Sequence, residues 1–575
     1  MTIIPDSLVD QVYVRGSLQN SDAGCELQLQ NRIESATVIR LSGIEIDGRA
    51  LSPGQVLAVT PDGTVRPAPG VTAEAPLPFP AGSTVTLRLP TLSLGPGRHT
   101  VKICLQTAEM GEVILEVTDG APARGVEPAA AAGPSCASMR PVKIAILGAG
   151  STVFARQLIT DLLCTPGLDQ GTFALVDIDA PRLELAHHVA DRLVESSGRA
   201  WTIEASIDRT RVLAGCDYVI NTIEVAGLRS VRHDYDIPLK YGVDQCIGDT
   251  IGPGGIFKML RTGPAWLDIL RDVERLCPKA VVLNYTNPMS ALTLLALRAT
   301  SLAVVGLCHS VQGTSRQLAG YLRIPYEEMR FRCAGINHLA WFTELAWNGQ
   351  DMYPRLREAA ADPQTYESDP VRFEMMLHLG AFVTESSGHF SEYVPYFRKR
   401  PDLLARYTRS GYRGESGFYA NNWPQWRARA EDSTRAMVDD PEGPTLKRSL
   451  EYASVIIEAI ESRQPAVIYG NVLNSGLIDN LPSGGCVEVP VLVDGNGLHP
   501  THFGPLPPQL AALDAAHMYV HELMVRAVLE RDREAAAHAL MLDPLTAAVC
   551  SPLEVRQMFD ELWEAERAEL GLFEG

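Results

Sequence analysis

The chain has 575 residues, 46% hydrophobic and 21% charged, an ordinary globular composition too long for one core. Its 69 acidic and 50 basic residues leave a formal net charge of −19, a field that disfavours nucleic-acid backbones and anionic membrane surfaces. Eleven cysteines without a CxxC spacing, no basic-then-apolar leader and no membrane-length apolar run predict a cytoplasmic protein without a disulfide framework.

Residues 1–120 hold short β-type runs, among them ATVIRLSGIEID, STVTLRLPTLSL and GEVILEVTD, separated by turn residues such as Asp47-Gly48 and Asp62-Gly63. They predict a small all-β sandwich that serves as an accessory domain. Residues 121–140, APARGVEPAAAAGPSCASMR, read as a linker rich in Ala, Pro and Gly.

From residue 141 strands and helices alternate: VKIAIL, FARQLITDLL, TFALVDID, PRLELAHHVADRLVES, DYVINTI, KAVVLNYTNP and LAVVGLCHS. This order predicts an α/β fold, a Rossmann-like doubly wound sheet over 141–325. Residues 326–575 mix a β-type run, FRCAGINHLAWFTELAW, with long helical stretches such as AALDAAHMYVHELMVRAVLERDREAAAHAL. They predict an α+β domain for catalysis, substrate binding and oligomerisation.

The most specific motif is VKIAILGAGSTVF, residues 142–154. Gly148 and Gly150 follow an apolar strand and precede a helix. Without Cβ atoms they allow a tight turn and a close approach of a diphosphate to the helix N-terminus. Ser151, Thr152, Val153 and Phe154 complete the predicted cofactor-binding loop. Val153 stands where the usual fingerprint has a third glycine, so looser helix–strand packing is expected there. Asp177 ends the next strand, where a carboxylate accepts from ribose hydroxyls and favours NAD over NADP.

Cys308 and His309 end a later predicted strand, and His338 follows a β-type run about thirty residues on. Thiolate and imidazole suit a first-row divalent ion, yet each residue taken singly fits core or surface better than a ligand set. Asp249 in GDTIGPGG, Asn284 and Asn287 in NYTNP, and His389, Tyr393 and Tyr396 in ESSGHFSEYVPYF sit on predicted loops.

Together GAGSTVF, LVDID, GDTIGPGG, LNYTNPM, VGLCHSVQGT, RCAGINH, FVTESSGHFSEYVPYF and IYGNVLNSGLIDNLP resemble glycoside hydrolase family 4, the NAD- and manganese-dependent glycosidases. Within that family the chain looks closest to its melibiase-type α-galactosidases. The resemblance implies NAD and Mn2+ as cofactors and a small-molecule glycoside, most of all an α-galactoside, as substrate. It also implies a homodimer or homotetramer. The reaction it implies is hydride removal from C3, deprotonation at C2, elimination of the aglycone, addition of water and return of the hydride. Carried over by motif, Cys308 and His338 would be metal ligands, and Asn287 and His389 substrate contacts. Tyr393 would be the base, with Tyr396 second to it. Asp249 and His309 remain alternatives for the acid, because some relatives have Asp where this chain has His309.

Overall fold

The computed structural model describes residues 139–440 and 443–573. Within the first 121 residues it describes 2–3, 12–14, 17–21, 24–31, 36–60, 64–73, 75–79, 83–90, 92, 94–95, 97–108 and 111–121. The expected linker lies almost wholly outside these residues. The chain divides into two compact units, Met1–Ser135 and Cys136–Gly575.

In the first unit apolar and polar residues alternate along the strands, as in Thr84–Leu89, whose every second residue is buried. Gly97–Thr107 pairs antiparallel with both Gly111–Ala121 and Ala36–Ile46 in a six-stranded sheet. Gly24–Gln30 and Thr84–Leu89 pair in a separate five-stranded sheet. Leu27, Leu29, Val85 and Leu87 of one sheet share an apolar core with Val101, Ile103 and Leu105 of the other.

The second unit is built on one thirteen-stranded sheet. Its main strands are β1 (Val142–Leu147), β2 (Gln170–Val176), β3 (Ala200–Ser206), β4 (Tyr218–Asn221), β5 (Val281–Asn284), β6 (Ala303–Leu307), β7 (Arg330–Ile336), β8 (Leu339–Trp347), β9 (Ala466–Leu473) and β10 (Cys486–Asp494). They lie in the order 3-2-1-4-5-6-9-10-7-8. Neighbours among β1–β6 are parallel, and β9 joins β6 antiparallel. The sheet therefore continues without interruption past residue 325, where the sequence suggests a domain boundary.

Alternate residues of β1 feed two cores. Ile144 and Ile146 pack on one face, Ala145 and Leu147 on the other. A strand buried on both faces has near-continuous apolar sequence, which is why VKIAIL carries a single charge.

The helices that matter for the site are α1 (Thr152–Leu163), α2 (Ala180–Ser197), α3 (Gly252–Leu276), α4 (Met289–Ala299), α5 (Ser310–Leu322), α6 (Ser387–Tyr393), α7 (Phe418–Asp439), α8 (Tyr452–Ser462) and α9 (Pro508–Glu530). Helices α1, α2, α4 and α5 leave the C-terminal ends of β1, β2, β5 and β6, so the loops before them gather at one edge of the sheet. The long helical run expected at 511–540 is broken after α9. Arg531 adopts a left-handed φ of 56° and Asp532 caps a new helix, accepting from Ala535 N–H. No helix among the described residues is long and apolar enough to cross a membrane.

Candidate active site

The loop between β1 and α1 confirms why glycine is needed twice. Gly148 has φ +80°, and a Cβ there would lie 2.6 Å from the Thr222 carbonyl oxygen. A Cβ on Gly150 would lie 2.6 Å from Asp177 Oδ2 and 2.9 Å from Arg182 Cβ. Gly150 N–H instead donates to Asp177 Oδ2 at 2.8 Å, and Asp179 N–H donates to Oδ1 at 2.9 Å. Asp177 thus ties the glycine turn to the end of β2. Ser151 caps α1 without a side-chain hydrogen bond. Thr152 and Val153 open α1, and their side chains lie outside the described residues.

A cavity of about 370 Å³ opens from this loop. Ser151, Phe154, Asp249, Lys258 and Asn287 line it. The α7 residues Tyr419, Trp423 and Trp426 close its side. Phe154 is held edge-on against Tyr285, ring centroids 5.0 Å apart.

Next to Asp249, whose Oδ1 lies 3.9 Å from His389 Nε2, the topology brings together residues far apart in sequence. Cys308, just after β6, places Sγ 3.4 Å from His338 Nε2. His338 occupies the turn between β7 and β8 with φ +65°, a backbone state that β-carbon sterics disfavour. Its Nδ1 lies 3.3 Å from the hydroxyl of Tyr393 at the end of α6. Glu385 Oε2 lies 3.4 Å from His338 Nε2, and His389 packs its ring 4.9 Å from that of His338. His338, Glu385 and His389 each offer a ligand atom within 4.8 Å of the others. Beneath them, both oxygens of buried Glu488 and the Nε2 of buried His389 lack hydrogen-bond partners among the described residues. Thiol, imidazole and carboxylate around unpartnered polar atoms fit a divalent cation.

The Asp249 carboxylate accepts from Thr250 Oγ1 at Oδ1, 2.6 Å away, and from Asn287 Nδ2 at Oδ2, 3.2 Å away. Burial alone would push its carboxyl up, but Lys258, His389 and the Thr250 hydrogen bond outweigh burial and hold it at about 2. Lys258 Nζ is 3.7 Å from Asp249 and 2.8 Å from Glu224. Burial, with Glu385 and Asp249 adding to it, pushes the Tyr393 phenol well above its ordinary value. Burial likewise raises the Cys308 thiol.

The structure thus brings Cys308, His338, His389, Tyr393, Asp249 and Asn287 into one site. His309 turns instead toward Glu451, 3.5 Å away, with a side chain 67% exposed. That pairing lifts its imidazole to about 9, with burial opposing. Tyr396 is 43% exposed, in contrast to Tyr393 at 1%.

Sequence reasoning missed Lys258, Glu385 and Glu392. Lys258 had a signal, a single charge inside the apolar run Ile256–Leu260. Glu392 accepts from the N–H groups of Cys246, Ile247 and Gly248, fastening the Asp249 loop to α6. No local pattern announces that bond.

Comparison with known proteins gives the family. The family 4 glycosyl hydrolase model matches residues 143–324, and the family 4 glycosyl hydrolase C-terminal domain model matches 333–546. The hydroxymethylglutaryl-CoA reductase N-terminal domain model matches residues 8–121. An α-galactosidase of Bacillus subtilis is 41% identical over 430 residues, 74% of this chain and 98% of that protein. An α-galactosidase of Rhizobium meliloti is 37% identical, over 74% and 89%. An α-galacturonidase of Thermoanaerobacterium saccharolyticum is 29% identical, over 74% and 95%. Among solved structures, a 6-phospho-α-glucosidase from gut microorganisms in complex with NAD and Mn2+ shares the fold. Its TM-score is 0.64 at 20% identity, covering 75% of this chain and 99% of that one. The chain belongs to the family 4 glycosyl hydrolases.

Proposed function

We propose that the protein hydrolyses α-galactosides by a redox-neutral elimination and addition, using NAD and a divalent metal such as Mn2+. The observation that carries this reading is the Cys308–His338–Tyr393 constellation, at 3.4 and 3.3 Å, which His389 links to Asp249 on the wall of the cavity that the glycine loop also lines. The identities of 41% and 37% with two α-galactosidases support the substrate class.

The β1–α1 turn, Ser151, Phe154 and Asp177 would hold the dinucleotide, and Cys308 and His338 the metal. When bound, these groups would supply hydride acceptance and Lewis-acid polarisation of the sugar, chemistry outside the two-carboxylate scheme of most glycosidases. The chain's own residues do the rest. With Nε2 turned toward Cys308, His338 carries its proton on Nδ1 and donates it to Tyr393 Oη. That hydrogen bond would favour the phenolate, but burial still holds the phenol well above its ordinary value, so a divalent cation beside it would have to supply the rest. Tyr393 then takes the proton from C2 as the C1–O bond breaks. Asp249, ionised by Lys258, accepts from a sugar hydroxyl, and Asn287 and His389 fix the ring. The departing oxygen takes its proton from water, because His309 faces Glu451 rather than the site.

The test is a screen of chromogenic α- and β-glycosides with Mn2+, NAD+ and thiol. The expected result is α-galactoside cleavage that requires both additions and accumulates no NADH. NADH formed in step with substrate consumption would make the protein a dehydrogenase and overturn the reading.

A further inference from the structure

Helix α7 lies in the C-terminal half of the chain but is fastened at both ends to the Rossmann half. At its start Gly417 N–H donates to Gln245 O at 2.8 Å, and Tyr419 N–H to Cys246 O at 3.0 Å. Arg232 Nη1 donates to Asn421 Oδ1 at 2.8 Å. Near its end Arg156 reaches Met437 Sδ, and Arg192 donates to Asp440 O. Between these ties, Tyr419, Trp423, Trp426, Arg427 and Ala430 recur at helical spacing and line the same cavity as Ser151 and Phe154. From 419 to 430 the helix rises about 16 Å, so one face runs from Asp249 to the glycine loop.

At the glycine-loop end two guanidinium groups converge. Arg182 begins beside Gly150, its Cβ 2.9 Å from where a Cβ on that glycine would stand. Its Nε lies 3.3 Å from Glu431 Oε1, and Arg427 Nε lies 3.6 Å from the same oxygen. Arg182 Nε is buried and makes no hydrogen bond among the described residues. Two arginines therefore share one carboxylate at distances too long or too poorly aligned for good charge-assisted bonds. One positive charge is left over beside the N-terminus of α1, which itself favours anions.

We propose that Arg182 and Arg427 clamp the diphosphate bridge of the dinucleotide, with Glu431 as the internal anion that it displaces. The proposal rests on the dinucleotide reading of the glycine loop. Guanidinium forks match pairs of phosphate oxygens, and a diphosphate brings two negative charges, one for each arginine once Glu431 is displaced. The clamp joins the two halves of the fold through the cofactor. It also opposes cofactor loss while the hydride is stored, which an ordinary dehydrogenase does not require.

The experiment is calorimetric titration of the full-length protein with NAD, ADP, NADP and adenosine. Arg182→Gln and Arg427→Gln should each weaken NAD and ADP roughly tenfold, the loss of one charge-assisted contact, and leave adenosine within about twofold. Glu431→Gln should tighten NAD and ADP, a gain that misfolding cannot mimic. Unchanged NAD and ADP binding in both arginine variants would overturn the clamp. So would equal losses for adenosine, or losses confined to NADP, which would assign the arginines to a 2′-phosphate. A parent protein that binds no NAD would sink the dinucleotide reading itself.

Discussion

Lys258 is the residue whose removal tests the electrostatics of the site most directly. It is 5% exposed, and Lys258→Met keeps the unbranched stem while deleting the ammonium. Two carboxylates depend on that charge, Glu224 at 2.8 Å and Asp249 at 3.7 Å. Asp249 is held at about 2 against an ordinary 3.8, despite burial, and Lys258 is the largest opposing influence. Because the folded value is the lower one, this carboxylate contributes stability above its unfolded pKa and loses it as pH falls through about 2. The gap corresponds to about 2 kcal/mol. Breaking a buried pair by removing one partner costs about 3–5 kcal/mol, so the variant should be destabilised by that order at neutral pH. Once the ammonium is gone, burial is opposed only by His389, His338 and the Thr250 hydrogen bond, so the Asp249 carboxyl rises. Mild acid then neutralises it and relieves the unpaired charge. Urea unfolding of parent and variant at neutrality and at about pH 4.5 should show the deficit shrinking by roughly 1 kcal/mol or more on acidification. A deficit equal at both pH values, or under about 1 kcal/mol at neutrality, would refute the reasoning.

Gly148→Ala forces a side chain into a left-handed turn and against a backbone oxygen 2.6 Å away. NAD affinity should fall at least about tenfold with a loss of roughly 1–2 kcal/mol in stability, and titration with unchanged affinity would count against the turn's role. Cys308→Ser should lose Mn2+-dependent turnover and calorimetric Mn2+ binding while keeping its thermal transition; undiminished metal binding would remove Cys308 from the ligand set. Tyr393→Phe should abolish exchange of the C2 hydrogen with solvent deuterium while NAD affinity stays within about twofold, and persistent exchange would exclude Tyr393 as the base. A fragment spanning residues 136–575 should be soluble and keep the parent's NAD affinity, since residues 136–575 form a compact unit of their own; an aggregated fragment would show that the first unit is needed for folding.

Much of the architecture is legible in the sequence because it rests on local chemistry. The paired glycines of residues 148–150, the apolar strand before them and Asp177 at the next strand end require only steric and hydrogen-bonding rules that act over a few residues. The near-continuous apolar runs of β1, β4 and β5 announce a sheet covered on both faces. The union of Cys308 with His338 was suggested by resemblance and not by spacing, since thirty residues and two sheet connections separate them.

Other features were decided by packing alone. Lys258 reads locally as an ordinary helical lysine, and only the meeting of α3 with the loops carrying Glu224 and Asp249 makes it an internal counter-charge. Glu385 looks like a loop carboxylate until the β7–β8 turn delivers His338 to it. His309 follows Cys308 in the chain yet turns away toward Glu451, because a residue's neighbour in sequence has its own rotamer and its own partner. Helix α7 lies more than 250 residues after the glycine loop and still walls its cavity. Backbone preference acts over a turn or two, whereas buried charge must find its partner wherever the fold brings one, and that choice belongs to the tertiary structure.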